Sequence, residues 1–505
     1  MKPRIASIVL LAFIPLAFTS QAAERHVKEG TVRGDELADG SVMFRSIPYA
    51  APPVDDLRWK PPQPVALWHG VRDASQVATP CAQLDEGWNK KDAANGSEDC
   101  LYVSVHEPQH QANEKLPVFV WIHGGSNRAG SGSDIADSPI YKHGIVVVTI
   151  EYRLGVFGFL SSPELTDESS HHSSGNYALL DQIAALKWVK ENITEFGGDA
   201  NNITVGGQSA GAIDIGQLMR SPLAIGLFGK AIQESGVLGP PRSAQDNQTI
   251  GRDLLKKLAI PTGRTALTAL RKVPTNVLLT VSETLKPPSG DPNLLWMETS
   301  ADGWVIPKGR NTLYSSDSVF HVPHIIGNTT QEVIFEGSAD ATRALIAQVY
   351  GAASKSALKL YGLVAPQSPD DDAILGNVGT QLLTDWMYRC PSYQLAKREI
   401  ARSQKVWRYE FGIPRPGHTR VEHTAELDYA YYPAPSAAGP QTWPPLQQYW
   451  ANFIKSGDPN GNSLAHWPDM GLTANYIAFL PTGIQTGNNL HGNQCRLMAA
   501  HYAMP

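Results

Sequence analysis

Short, predominantly apolar runs recur along the chain, at residues 118–122, 145–150, 203–205 and 324–326. Runs of this length read as strands buried on both faces, as in a parallel sheet. Between them the apolar period changes. Over Tyr177–Asn192 the residues Leu179, Ile183, Leu186 and Val189 fall three or four positions apart, which predicts a helix with one apolar face. Strands alternating with helices predict an α/β fold whose strands are joined by crossovers. Residues 240–291 show no strand pattern and read as a helical cap or insertion.

The N-terminus follows a different pattern. Lys2 and Arg4 precede an apolar run over residues 5–18, and Ser20-Gln21-Ala22 places small residues where a signal peptidase reads. Residues 1–22 are therefore expected to be a cleaved signal peptide, too short in its apolar part to span a bilayer. Residues 23–505 are expected to form a single domain, secreted or periplasmic, because large α/β domains often exceed the usual size per domain. No later run is long enough for a membrane span.

Composition changes this picture little. With 42% hydrophobic and 18% charged residues the chain is that of a soluble globular protein, and no internal repeat is present. Removing Lys2 and Arg4 takes the net charge from −6 to −8, which disfavours nucleic acid or anionic membrane as a partner. The four cysteines, Cys81, Cys100, Cys390 and Cys495, allow three connectivities, and export permits them to form. Pairing the two that lie close in sequence, Cys81 with Cys100, and the remaining two with each other is the simplest choice. No Cys-x-x-Cys spacing is present, and His171-His172 has no second cluster to complete a metal site, so no metal or other cofactor is expected.

Candidate chemistry centres on Gly207-Gln208-Ser209-Ala210-Gly211. This G-x-S-x-G element follows an apolar strand and precedes helix-compatible residues, the context of a nucleophile elbow. The sharp turn needs tiny residues two positions either side of Ser209, and it sets the hydroxyl at a helix N-terminus. There the Ala210 N–H can face a developing oxyanion. A second glycine-rich loop, His123-Gly124-Gly125-Ser126, ends the run at residues 118–122. In hydrolases a loop of this type aims backbone N–H groups at the tetrahedral intermediate, so Gly125 and Ser126 are the expected partners of Ala210. Ser126 replaces a third glycine but keeps its N–H. His123 reads as a structural loop histidine.

Ordered blocks along the chain then identify a family. Residues 44–50, Pro52-Pro53, Leu57-Arg58-Trp59, residues 97–103, Tyr152-Arg153-Leu154-Gly155 and Gly158-Phe159-Leu160 are similar to segments of the type-B carboxylesterases. So are Gly175-Asn176, Asp181-Gln182, Phe196-Gly197-Gly198-Asp199, Gly457-Asp458-Pro459-Asn460 and Trp467-Pro468. That family includes cholinesterases and bacterial para-nitrobenzyl esterases, and the resemblance covers nearly the whole mature chain. It implies an α/β-hydrolase fold with a mixed, mostly parallel central sheet flanked by helices, helical cap insertions, and an active site at the bottom of a gorge. It implies a serine ester hydrolase acting on a small-molecule ester through an acyl-enzyme. It also supports the Cys81–Cys100 disulfide, worth roughly 3 kcal/mol by the chain-entropy estimate, and a second disulfide between Cys390 and Cys495.

On this fold the nucleophile is followed by the acid and then the base. The family places its acid five residues after a strand-end glycine, which from Gly327 gives Glu332, although Val333 stands where the family has glycine. Glu336-Gly337 is the competing position. His423, with Glu426 three residues on and Leu427 beyond, resembles the family's histidine block, and nearby His418 lacks that context. Ser209, Glu332 and His423 are therefore the expected triad. Many family members carry Glu before the nucleophile; here Gln208 removes that charge and weakens the case for a cationic substrate. Trp88, in the Cys81–Cys100 loop, is expected at a rim or in packing. A non-catalytic binding module of the same fold, and an acyltransferase or amidase on the same triad, are the alternatives.

Overall fold

The computed structural model describes residues 22–236, 241–288, 296–308, 320–435 and 443–501. The expected signal peptide lies outside the described residues, except for its last position. Fifteen strands are present among the described residues. They are β1 (Ala22–Val27), β2 (Gly30–Glu36), β3 (Val42–Pro48), β4 (Val71–Asp73) and β5 (Tyr102–Glu107). β6 (Leu116–Ile122), β7 (Val146–Ile150), β8 (Gly198–Gln208) and β9 (Lys230–Glu234) follow. β10 (Arg242–Ser243), β11 (Ser300–Ala301), β12 (His324–Thr329), β13 (Val406–Phe411), β14 (Asn475–Leu480) and β15 (Gly483–Asn488) complete the set.

Thirteen strands form one mixed sheet in the order β1-β2-β3-β5-β7-β6-β8-β9-β12-β13-β14-β15, with β4 added to β2. From β7 to β14 neighbours are parallel, and both ends of the sheet are antiparallel. The chain thus has the α/β architecture that the alternating pattern predicted and the α/β-hydrolase fold that the resemblance implied.

Alternation along the central strands separates two cores. On β6, Val118, Val120 and Ile122 enter one apolar cluster, while Phe119 and Trp121 enter the other. The Tyr177–Asn192 helix, with the bounds its periodicity predicted, covers the first face. Its Leu179, Ile183, Leu186 and Val189 are at most 2% exposed, and their burial contributes roughly 6–12 kcal/mol as an upper estimate. The Leu446–Ser456 helix covers the opposite face with Tyr449, Trp450, Phe453 and Ile454. Gly206 on β8 is needed because a Cβ there would lie 2.4 Å from the Phe119 ring.

The region expected as a helical cap holds the helices Ala244–Lys257, Ala266–Arg271 and Thr275–Ser282. It also holds a strand that periodicity did not signal: two-residue β10, which pairs with β11. Two residues are too few to establish an alternation.

Candidate active site

β8 ends at Gln208 and the Ala210–Leu218 helix begins at Ala210, so Ser209 alone turns the chain. It does so at φ 55° and ψ −123°, a conformation that L residues adopt only when the surroundings enforce it. Those surroundings are close. The Ser209 N–H donates to the Glu234 carbonyl at 2.8 Å. A Cβ on Gly207 would come within 2.7 Å of the Ile122 carbonyl oxygen, and one on Gly211 within 2.0 Å. Glycine at both positions lets the end of β6 press against the turn.

The loop beyond β6 has a left-handed course. Gly125 stands at φ 106°, and Ser126 and Asn127 at 57° and 55°. Ser126 therefore keeps the backbone conformation that a glycine takes readily. The N–H groups of Gly125, Ser126 and Ala210 have no acceptor among the described residues. Asn127 Nδ2 donates to Asp214 at 3.3 Å, and Gln182 Nε2 donates to the same carboxyl at 2.6 Å. Asp214 lies on the Ala210–Leu218 helix, so it ties that helix to the loop, and burial pushes its pKa up to about 7. His123 donates from Nδ1 to the Gly124 carbonyl at 2.8 Å and stacks on Tyr152. Burial holds its pKa down at about 4, so it stays neutral and structural.

Glu332 follows β12 by three residues, and its side chain is fully buried. Its Oε1 accepts from the Thr329 N–H at 2.7 Å, and its Oε2 accepts from His423 Nδ1 at 2.5 Å. The Thr384 hydroxyl accepts the Glu332 N–H at 3.1 Å and fixes the turn. Burial works against a charged His423, but the Glu332 carboxylate and its hydrogen bond outweigh it and hold the imidazole pKa above its usual value. Glu336 points elsewhere: its side chain is 78% exposed and pairs with Arg420 at 3.3 Å. His418 is likewise half exposed, near Glu422.

Several groups around His423 were not expected from sequence. Tyr388 packs against the imidazole with ring centroids 5.3 Å apart. Gln208 Nε2 lies 3.1 Å from His423 Nε2. Glu426 is fully buried and accepts from the Ser235 hydroxyl at 3.1 Å. Its pKa is raised by burial first and by the Glu332 charge second. Its spacing from His423 was visible in the sequence, but its partner Ser235 was not, because the two are 191 positions apart.

Cys81 is joined to Cys100 and Cys390 to Cys495, with no free cysteine. Trp88 is 62% exposed in the loop that the first disulfide closes. His171 stacks on Trp304, with ring centroids 3.7 Å apart.

The family profile described as "Carboxylesterase family" matches residues 21–498. Fumonisin B1 esterase of Sphingopyxis macrogoltabida is 31% identical, over 92% of this chain and 87% of that one. Carboxylesterase 1D of Rattus norvegicus is 32% identical, over 87% of this chain and 86% of its own length. Among solved structures, a thermophilic PNB esterase superimposes with a TM-score of 0.80 at 29% identity, covering 95% of this chain and all of that one. A strained serine between a strand and a helix, a glycine-rich loop pressed against it, and matches along nearly the whole chain agree: the chain belongs to the carboxylesterase family and is a carboxylic ester hydrolase.

Proposed function

We propose that this protein is a secreted serine hydrolase of small-molecule carboxylic esters, working through an acyl-enzyme on Ser209. The contact between His423 Nδ1 and Glu332 at 2.5 Å carries the reading, because it fixes the tautomer that leaves Nε2 unprotonated beside the elbow. His423 Nε2 takes the Ser209 proton as Oγ attacks the ester carbonyl, then delivers it to the departing alcohol. The N–H groups of Gly125, Ser126 and Ala210 take the oxyanion. Water then repeats the sequence on the acyl-serine. Residues 1–22 act as the export signal, consistent with two disulfides and with the absence of any helix among the described residues long and apolar enough to cross a membrane.

The test is an organophosphonate ester followed by peptide mapping, alongside Ser209→Ala. Label should appear on Ser209, and the variant should fold yet lose about 10⁶ in turnover. Label on another residue, or substantial residual turnover, refutes the assignment.

A further inference from the structure

His423 Nδ1 faces Glu332, whose two oxygens both accept, so the neutral imidazole carries its proton on Nδ1 and presents Nε2 as an acceptor. The group that meets this acceptor is the side-chain amide nitrogen of Gln208, at 3.1 Å. Among the described residues no hydrogen bond joins Ser209 to His423. Gln208 is 3% exposed. Its amide oxygen lies over the oxyanion loop, where a Cβ on Gly124 would come within 3.1 Å of it. The side chain therefore spans from the imidazole to that loop.

We propose that Gln208 is a positioning residue for proton transfer, occupying the His423 Nε2 lone pair in the resting enzyme and yielding it to Ser209 when an ester binds. The inference rests on the triad proposed above. Once Nε2 has taken the serine proton, the imidazolium offers only donors, and an amide N–H beside it becomes unfavourable. Rotation of the amide by half a turn replaces that donor with the carbonyl oxygen, an acceptor for the cation. One side chain then serves both protonation states, which a carboxylate at this position could not do, because it has no donor for the neutral ring. The other charged or titratable groups facing His423 are Glu332, Glu426, Arg415 and Tyr388.

Two measurements test this. In Gln208→Glu the added charge should favour the imidazolium and move the acid limb of kcat/KM up by about one pH unit or more. Activity well below the limb should then fall about tenfold. A limb that superimposes on that of the unsubstituted enzyme overturns the proposal. If this variant does not fold, ¹⁵N-histidine NMR of the unsubstituted protein and Ser209→Ala decides. The hydrogen-bonded shift of His423 Nε2 should survive removal of the serine hydroxyl; its loss means that Ser209 was the donor and overturns the proposal. Failure of the triad itself would read differently, as retention of activity in His423→Ala.

Discussion

Replacing Gly211 by alanine sets two effects against each other. Gly211 lies in the first turn of the Ala210–Leu218 helix, where alanine is favoured over glycine by about 1 kcal/mol. The new Cβ, however, would sit 2.0 Å from the Ile122 carbonyl oxygen and 2.6 Å from that of His123. Real Cβ contacts stop near 3.0 Å, so the helix and the end of β6 must separate by about 1 Å. Both obstacles are backbone, so no side chain can rotate away, and overpacking of this kind costs about 1–3 kcal/mol. We therefore expect a net loss of stability of about 0–2 kcal/mol. Turnover should suffer more. The displaced surfaces carry Ser209 on one side and Gly125 and Ser126 on the other, and a misplacement of about 1 Å is worth about 10² in rate. The assay is kcat on an activated ester with active sites counted by organophosphonate, beside a thermal melt. Gly216→Ala on the same helix is the control, since its Cβ would meet only a side-chain atom, the Gln233 amide nitrogen at 3.2 Å, and no backbone. If Gly211→Ala keeps kcat within about threefold of Gly216→Ala, the close approach of β6 does not set the reactive geometry.

Glu332→Gln should fold and lose about 10⁴ in turnover, whereas Glu336→Gln should stay near full activity; the reverse order in steady-state kinetics refutes Glu332 as the acid. His423 must be neutral to accept a proton, and its raised pKa keeps it protonated to higher pH, so kcat/KM should fall on acidification with a midpoint above the ordinary 6.5. A profile flat from pH 5 to pH 8 would contradict that. Double Cys→Ser replacement should cost about 3 kcal/mol for Cys81–Cys100, with separation 19, and about 4.7 for Cys390–Cys495, with separation 105. Denaturant melts that rank the two in the opposite order would show that loop entropy does not govern here.

What the sequence disclosed follows the range of the interactions involved. The Tyr177–Asn192 helix was legible to both ends because its apolar spacing is local. The run at residues 203–205 marked β8, but the strand extends over Gly198–Gln208, since Gly206 and Gly207 are kept small by Phe119 and the β6 carbonyls rather than by strand propensity. The resemblance implied a mixed sheet, but the strands at its first end carried no local signal: β1 and β2 have charged residues along their length, and β2 is held by its pairing with β1, β3 and β4. The turn at Ser209 was readable from five consecutive residues, and the family blocks pointed to Glu332 and His423, whose side chains meet at 2.5 Å. The contact of Gln208 with His423 spans 215 positions, and no local pattern could have reported it.

Ser209, Glu332 and His423 each stand beyond the C-terminal end of a strand, β8, β12 and β13, and those strands lie within one run of parallel neighbours. Apart from contacts such as that of the Thr384 hydroxyl with the Glu332 N–H, the rest of each peptide running on to the next strand adds length rather than position. Insertions can grow, shrink or be exchanged in the stretches that touch none of the three side chains. For directed evolution this separates two searches. Libraries confined to such crossover stretches, the helices over residues 244–282 among them, would vary the chain on a frame that keeps Ser209, Glu332 and His423 in place.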